Sequence, residues 1–167
     1  MRNSVLISLL SVFSVGLLAA TLFLTREPEP GRLADLSNVI RSDSGEIINL
    51  RLTPSGHWRE PADIGRIDPA MIKMLIAYED KRFWNHHGVD PFAIVRASLS
   101  LAKSGKVKSG ASTLTMQTAK LMYPDLRQRT ITNKLKQMLF AIRLDAHWSK
   151  QQILEAYFTL APFGGNI

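Results

Sequence analysis

The stretch AYEDKRFWNHHGVDPF, residues 77–92, gathers two adjacent carboxylates (Glu79, Asp80), a basic pair (Lys81, Arg82) and two adjacent histidines (His86, His87). Such groups could bind a metal, move a proton, or simply end a charged helix. Zinc ligands on a helix stand about four residues apart, as in H-E-x-x-H, which this chain lacks, so two neighbouring histidines make a poor chelate. One histidine is expected to order the loop through a local hydrogen bond and the other to be solvated. Successive side chains on a helix diverge by about 100°, so Glu79 and Asp80 cannot face each other as an acid/base pair. One can act on a substrate while the other holds backbone, or both can be a helix-terminal charge pair. Any second catalytic group must come from a distant segment.

SGASTLTMQTAK, residues 109–120, offers different chemistry. A Gly-Ala loop opening a helix presents backbone N–H groups and the hydroxyls of Ser112, Thr113 and Thr115 to an anion, with Lys120 on the same helix. The pattern G-x-x-x-x-G-K-[ST] is not met, which argues against a nucleotide triphosphatase; an ordinary capped helix explains the segment about as well. Ser100 to Lys103 matches S-x-x-K, and Lys108-Ser109-Gly110 has the form of an acyltransferase box. These elements lie side by side, whereas acyl transfer needs them to converge from well-separated parts of a larger domain.

The elements that must hold these groups are mostly helices. Asp68-Pro69 and Asp90-Pro91 each read as an N-cap followed by a pre-set first turn. Met71, Met74, Leu75 and Tyr78 then recur at helical spacing up to Glu79, and Phe92, Val95, Leu99 and Ala102 form a second apolar stripe ended by Gly105. Ser112 is the expected cap of a third helix reaching Leu121, a fourth runs roughly from Thr132 to His147, and Ser149 with Gln152 forms a capping box for a fifth. Ahead of them, NVIRSDSGEIINLRL reads as a β-hairpin with a glycine-containing loop. No internal repeat is visible. The closing APFGGN is a glycine-rich turn with no helix after it, which leads to the expectation of a domain incomplete at its C-terminus.

Composition bounds the setting. The chain of 167 residues is 46% hydrophobic and 21% charged, which suits one modest domain plus a strongly apolar segment. That segment is Ser4 to Thr25, uncharged over roughly the 20 positions that a membrane-spanning helix requires. A cleaved signal peptide is the rival reading, with Ala19 and Ala20 as cleavage site, but the apolar run continues past them and favours an anchor. The flanking charges place residues 1–3 in the cytoplasm and the rest outside. EPEPGR is a stiff exit from the membrane, so residues 26–60 are expected as linker and hairpin and 61–167 as the helical domain. Cysteine is absent, which rules out disulfides and thiolate metal sites. The net charge of +7 is concentrated between Lys81 and Lys150, with thirteen basic residues against three acidic. A basic domain beside a membrane expects polyanions or anionic headgroups, and an exported chain rarely meets nucleic acid.

Taken together, these segments resemble the glycosyltransferase family 51 domain of class A penicillin-binding proteins, and most of all its 1C branch. EDKRFWNHHG is similar to the family's E-D-x-x-F-x-x-H-x-G, met at Glu79, Asp80, Phe83, His86 and Gly88. GASTLTMQ is similar to G-x-S-T-x-T-x-Q, and ILEAYFTLAPFGGN to the I-L-E-x-Y-L-N segment with its glycine turn. The resemblance, which covers Asp68 to the end, implies a mainly α-helical, lysozyme-like fold. It implies a single-pass protein of the bacterial inner membrane whose periplasmic domain polymerises lipid II with inversion, releasing undecaprenyl diphosphate. Glu79 stands at the position of the general base. Arg96, Ser112, Thr113, Gln117, Lys120 and Lys134 stand at substrate-binding positions, and Asp80, Phe83, His86, Gly88 and Glu155 at loop-ordering or structural ones. The implied partners are lipid II, the growing glycan strand, membrane lipid and other cell-wall synthesis proteins. No cofactor or protein-held metal is required, with room for a divalent cation such as magnesium or manganese at the diphosphate.

One position departs from the family pattern. Where bifunctional relatives carry a second glutamate after an arginine-lysine pair, this chain has Asn133, Lys134 and Gln137. Gln137 is thus expected at a catalytic position, where an amide can donate a hydrogen bond but cannot transfer a proton. The missing glutamate keeps open a non-catalytic membrane-bound scaffold for cell-wall assembly; within the same fold class, the alternative is a muramidase-like hydrolase in which a glutamate acid cleaves the glycan.

Overall fold

A computed structural model of the chain describes residues 2–104 and 111–162. The expected Gly105 helix stop, much of the lysine-rich loop, and the glycine turn after Pro162 lie outside them. The described chain is mainly helical: α1 (Arg2–Thr25), α2 (Pro69–Glu79), α3 (Pro91–Ser104), α4 (Leu114–Met122), α5 (Ile131–His147) and α6 (Lys150–Leu160). Between α1 and α2 sits an antiparallel hairpin, β1 (Asn38–Arg41) and β2 (Ile47–Arg51), with Val39 opposite Leu50 and a register shift at Ile40/Arg41.

The helix starts follow local chemistry. Asp68 accepts from the Ala70 N–H at 2.8 Å and Asp90 from the Phe92 N–H at 2.9 Å, each ahead of a proline whose missing N–H costs nothing there. Ser149 and Gln152 form the expected reciprocal box. The cap of α4 is Thr113, not Ser112: its hydroxyl accepts from the Met116 N–H at 3.1 Å. The register moves by one residue because the Ser112 hydroxyl is held elsewhere, by the Lys134 ammonium.

Helix α4 is the centre of the fold, with Leu114, Thr115, Met116, Thr118, Ala119 and Met122 all buried between α5 and α6. One core cluster joins Phe83, Leu114, Ile153, Leu154 and Tyr157 to the inner face of α2; the other joins Ala119, Met122, Leu126, Leu144 and Leu160.

Two expected stripes face outward instead. On α2 the inner face is Ile72, Leu75 and Ile76, while Met71, Met74 and Tyr78 are exposed. On α3 the buried residues are Ala93 and Ala97, and Phe92, Val95 and Leu99 are more than half exposed. The face of α3 turned inward is thus the small-residue one, and its large apolar residues are left on the outside.

Helix α1 packs its C-terminal end on α5, with Phe23 edge-on to Phe140 at 5.0 Å between ring centroids. Its side chains are described at Ser11 and from Phe13 onward. Among described residues no helix is long and apolar enough to cross a membrane; the span expected over 4–25 extends beyond those side chains.

Candidate active site

The segment that closes α2 separates its two carboxylates. Glu79 is the last helical residue and is exposed in a cleft of about 480 Å³. Its Oε2 accepts a hydrogen bond from Gln117 Nε2 at 2.9 Å, a contact across 38 positions that joins α2 to α4. Asp80 leaves the helix in an extended conformation (φ −157°, ψ 75°) and turns inward, 6% exposed. Its carboxylate lies 2.9 and 3.1 Å from His86 Nε2 and accepts from the Leu114 N–H at 2.9 Å, within the first turn of α4. An anion at a helix N-terminus is favoured by the unpaired N–H groups there. Asp80 therefore pins the Glu79 end of α2 to the start of α4.

The loop between them is fixed by short contacts. The Thr113 hydroxyl donates to the Gly88 carbonyl at 2.5 Å, and the Lys150 ammonium donates to the His86 carbonyl at 2.6 Å. Gly88 adopts φ +79°, and a Cβ there would run into the Ala141 carbonyl of α5, so both conformation and space demand glycine. Phe83 is fully buried beneath the loop. His87 is solvated, with Nδ1 3.4 Å from Asp145. The histidines thus divide as the sequence implied, one buried in the loop and one outside. Among the described residues no three His, Asp or Glu side chains gather as metal ligands.

The cleft also carries cations. Arg96 from α3 lines it, as do Arg82, Lys81, Ser112 and Thr113. Lys134 of α5 reaches Ser112 by donating to its hydroxyl. Burial first, and the neighbouring Lys120 charge second, hold the Lys134 ammonium below the ordinary lysine value. Burial, reinforced by the nearby Glu79 charge, pushes the Tyr157 phenol up, so it stays protonated at neutral pH.

Glu79, Gln117, Ser112, Thr113 and Arg96 therefore share one cleft; Lys134 reaches it through Ser112, while Lys120 is not among the lining residues and acts only as a charge near Lys134. Thr113 lines the cleft, but its hydroxyl is spent on Met116 and Gly88; its role here is architectural. Glu155 is remote from the cleft and accepts from the Ile64 N–H at 3.3 Å, tying the entry to α2 onto α6.

Gln137 is not brought to Glu79. It is buried, and its amide donates to the Leu126 carbonyl at 2.7 Å, holding the turn Pro124–Arg127 against α5. A buried carbonyl needs a donor, and an ionised glutamate would offer none, so the amide has a structural reason to be there.

Arg82 was not legible as a cleft residue. It stands at the start of the short 3₁₀ turn Phe83–Asn85, its Nε 3.7 Å from Asp90 and its guanidinium 4.1 Å from the centre of the Phe92 ring. The only sequence signal was its place three residues after Glu79.

An exposed carboxylate steered by an amide, in a cleft that also carries cations, suits removal of a proton from a hydroxyl while an anionic group departs. The comparisons with known proteins agree on the class. Residues 45–167 match the Transglycosylase family model, and the chain belongs to that family. Among individual relatives, it is 45% identical over 140 residues to penicillin-binding protein 1C of Escherichia coli (strain K12), covering 84% of this chain and 18% of that protein. It is 42% identical over 146 residues to penicillin-binding protein 1A of the same strain, with 83% of this chain and 17% of the relative covered. Penicillin-binding protein 1A of Neisseria gonorrhoeae matches at 37% over 160 residues, 92% of this chain and 19% of the relative. The chain thus spans less than a fifth of the length of these relatives.

Proposed function

We propose that this chain is the glycosyltransferase segment of a class A penicillin-binding protein, of 1C type, that polymerises lipid II into β-1,4-linked glycan. Glu79, held by Gln117 in the cationic cleft, carries the proposal. In this reading the Glu79 carboxylate takes the proton from the acceptor C4 hydroxyl as that oxygen attacks the anomeric carbon of the donor. The new glycosidic bond forms on the face opposite the leaving group, the bond to undecaprenyl diphosphate breaks, and its electron pair departs on the diphosphate. Arg96, Lys134 with Ser112, and Arg82 meet the negative charge that develops there.

The donor set does not fit a protein-held divalent cation at that point. Each of the three carboxylates lining the cleft is already engaged: Glu79 by Gln117, Asp80 by His86 and the Leu114 N–H, and Asp90 by Arg82 and the Phe92 N–H. The chain's own residues supply the positive charge without one.

In the same reading α1 is a signal anchor in the bacterial cytoplasmic membrane, its N-terminus in the cytoplasm and the domain outside. The lysozyme-like description belongs to this proposal, as do the glycan and cell-wall partners. The exposed Phe92, Val95 and Leu99 beside Arg96 suit a surface that rests on lipid headgroups.

The test is Glu79→Gln in the full-length protein with lipid II as substrate. The amide keeps the size of the side chain and loses the base, so polymerisation should fall by about 10²–10⁴-fold with an unchanged melting temperature. Full activity in the variant would remove Glu79 from the mechanism, and shorter fragments released from preformed glycan would show a hydrolase instead.

A further inference from the structure

We infer that Arg143 is a positioning residue: with Tyr123 and His147 it latches the exit of α1 onto the catalytic domain, fixing the height and tilt of the Glu79 cleft over the membrane. This rests on the proposed reading of α1 as the anchor and of the cleft as a transferase site.

A helix end leaves its last carbonyls without intrahelical partners. One such carbonyl, Leu24 O, and three carbonyls of the segment that follows α1 receive donors from α5 or from Tyr123, just past α4. His147 Nε2 donates to Leu24 O at 2.9 Å, a bond that sets the proton on Nε2. Arg143 Nε donates to Arg26 O at 2.8 Å and its Nη2 to Glu27 O. The Tyr123 hydroxyl donates to Glu29 O at 2.6 Å.

Arg143 is only 7% exposed, and its guanidinium carbon lies 4.7 Å from the centre of the Phe23 ring. A buried cation is costly unless compensated; here the compensation is the negative end of the α1 dipole and the ring face. Phe23, Phe140 and Tyr123 continue the contact as a stack of rings, 5.0 and 4.7 Å between centroids.

An independent observation points the same way. Gly31, just past the exit, adopts φ +53°, and a Cβ there would strike the Met122 carbonyl. A slack tether has no need of such an approach.

The functional consequence runs along α5. Lys134 and Arg143 are nine residues apart on one helix, about 14 Å at 1.5 Å per residue. The same rigid element thus holds the Ser112 side of the cleft and the anchor. Substrates carried on lipid present their reacting atoms at a nearly fixed height, so the latch sets whether Glu79 meets them; a misplacement of about 1 Å can cost about 100-fold in rate.

The absence of cysteine allows specific spin labels. Labels at Leu18→Cys on α1 and Met74→Cys on α2, both exposed and outside the cleft lining, report the anchor-to-domain distance in phospholipid vesicles. The parent should give one narrow distribution, Arg143→Leu a broadened one, and Tyr123→Phe an intermediate one. The same variants should lose polymerisation of bilayer-embedded lipid II by about 10-fold or more, while a short-chain, water-soluble lipid II analogue keeps its rate. Should Arg143→Leu fail to fold by circular dichroism, Tyr123→Phe and Phe140→Ala carry the test. A broad distribution in the parent, or an unchanged narrow one in folded variants, overturns the inference. A protein that does not enter vesicles removes the anchor reading and the inference with it.

Discussion

Glu79 and Asp80 are neighbours with divergent surroundings because the helix ends between them. The C-cap geometry of Asp80 sends one carboxylate to solvent and the other under α4. Lys134 is the matching case among the cations, where burial lowers its pKa. Its charge is what the proposed diphosphate meets, so affinity should fall as pH rises through that lowered value, and the alkaline limb should set in below the ordinary 10.5. Stability should move the other way. The unfolded chain holds this proton more tightly than the folded one, so stability rises with pH across the window between the lowered folded value and 10.5. Measuring KM and melting temperature against pH separates the two trends. Lys134→Arg keeps its charge throughout that window, since a guanidinium titrates above about 12, and should shift the alkaline limb upward. A limb unmoved by that substitution assigns it to another group.

At the scale of elements, caps were legible and directions were not. Asp68, Asp90, Ser149 and Gln152 announce their helices because an N-cap is local chemistry, and the hairpin follows from two β-rich runs around a glycine loop. Phe92, Val95 and Leu99 were equally visible as a stripe, but periodicity identifies a face without saying what covers it, and the domain packs Ala93 and Ala97 instead. The single-residue error at Ser112 has a similar origin: its hydroxyl is claimed by Lys134, twenty-two positions away. Gln137 resembled a displaced catalytic acid because its partner, the Leu126 carbonyl, is set by the turn before α5. Gly88 was legible only as a motif letter, whereas its space is defined by Ala141 of α5. Gly88→Ala should therefore cost about 3 kcal/mol, the sum of a left-handed non-glycine backbone and an overpacked contact. Thermal or urea unfolding reads that loss. Turnover should fall with it, since the loop ties His86 and Thr113 to the end of α2; a variant as stable as the parent would mean that α5 retreats freely.

At the scale of the molecule, the charge surplus and the anchor belong to one argument. The segment between Lys81 and Lys150 holds thirteen basic residues against three acidic ones, and Lys81, Arg82 and Arg96 of it line a site whose proposed substrates are anionic and confined to a surface. Yet Arg143, by composition only one more basic residue, is committed to the carbonyls after α1, and Lys150 to Asp145 and the His86 carbonyl. Such buried commitments are weakly screened by salt, whereas an exposed cation such as Arg96 acts on an incoming anion through solvent. Raising ionic strength from about 0.01 to about 0.15 M shortens the screening length from about 30 to about 8 Å. Capture of lipid II should then weaken by about 10-fold, the lower end of the range for electrostatic steering, while the melting temperature barely moves. The change should appear in kcat/KM at limiting substrate and leave kcat near its low-salt value, because the proposed proton transfer to Glu79 would take place inside the closed contact. An equal loss in kcat would instead place the screened charges in the reacting complex itself, with Arg96 and Arg82 acting on the departing diphosphate more than on its approach.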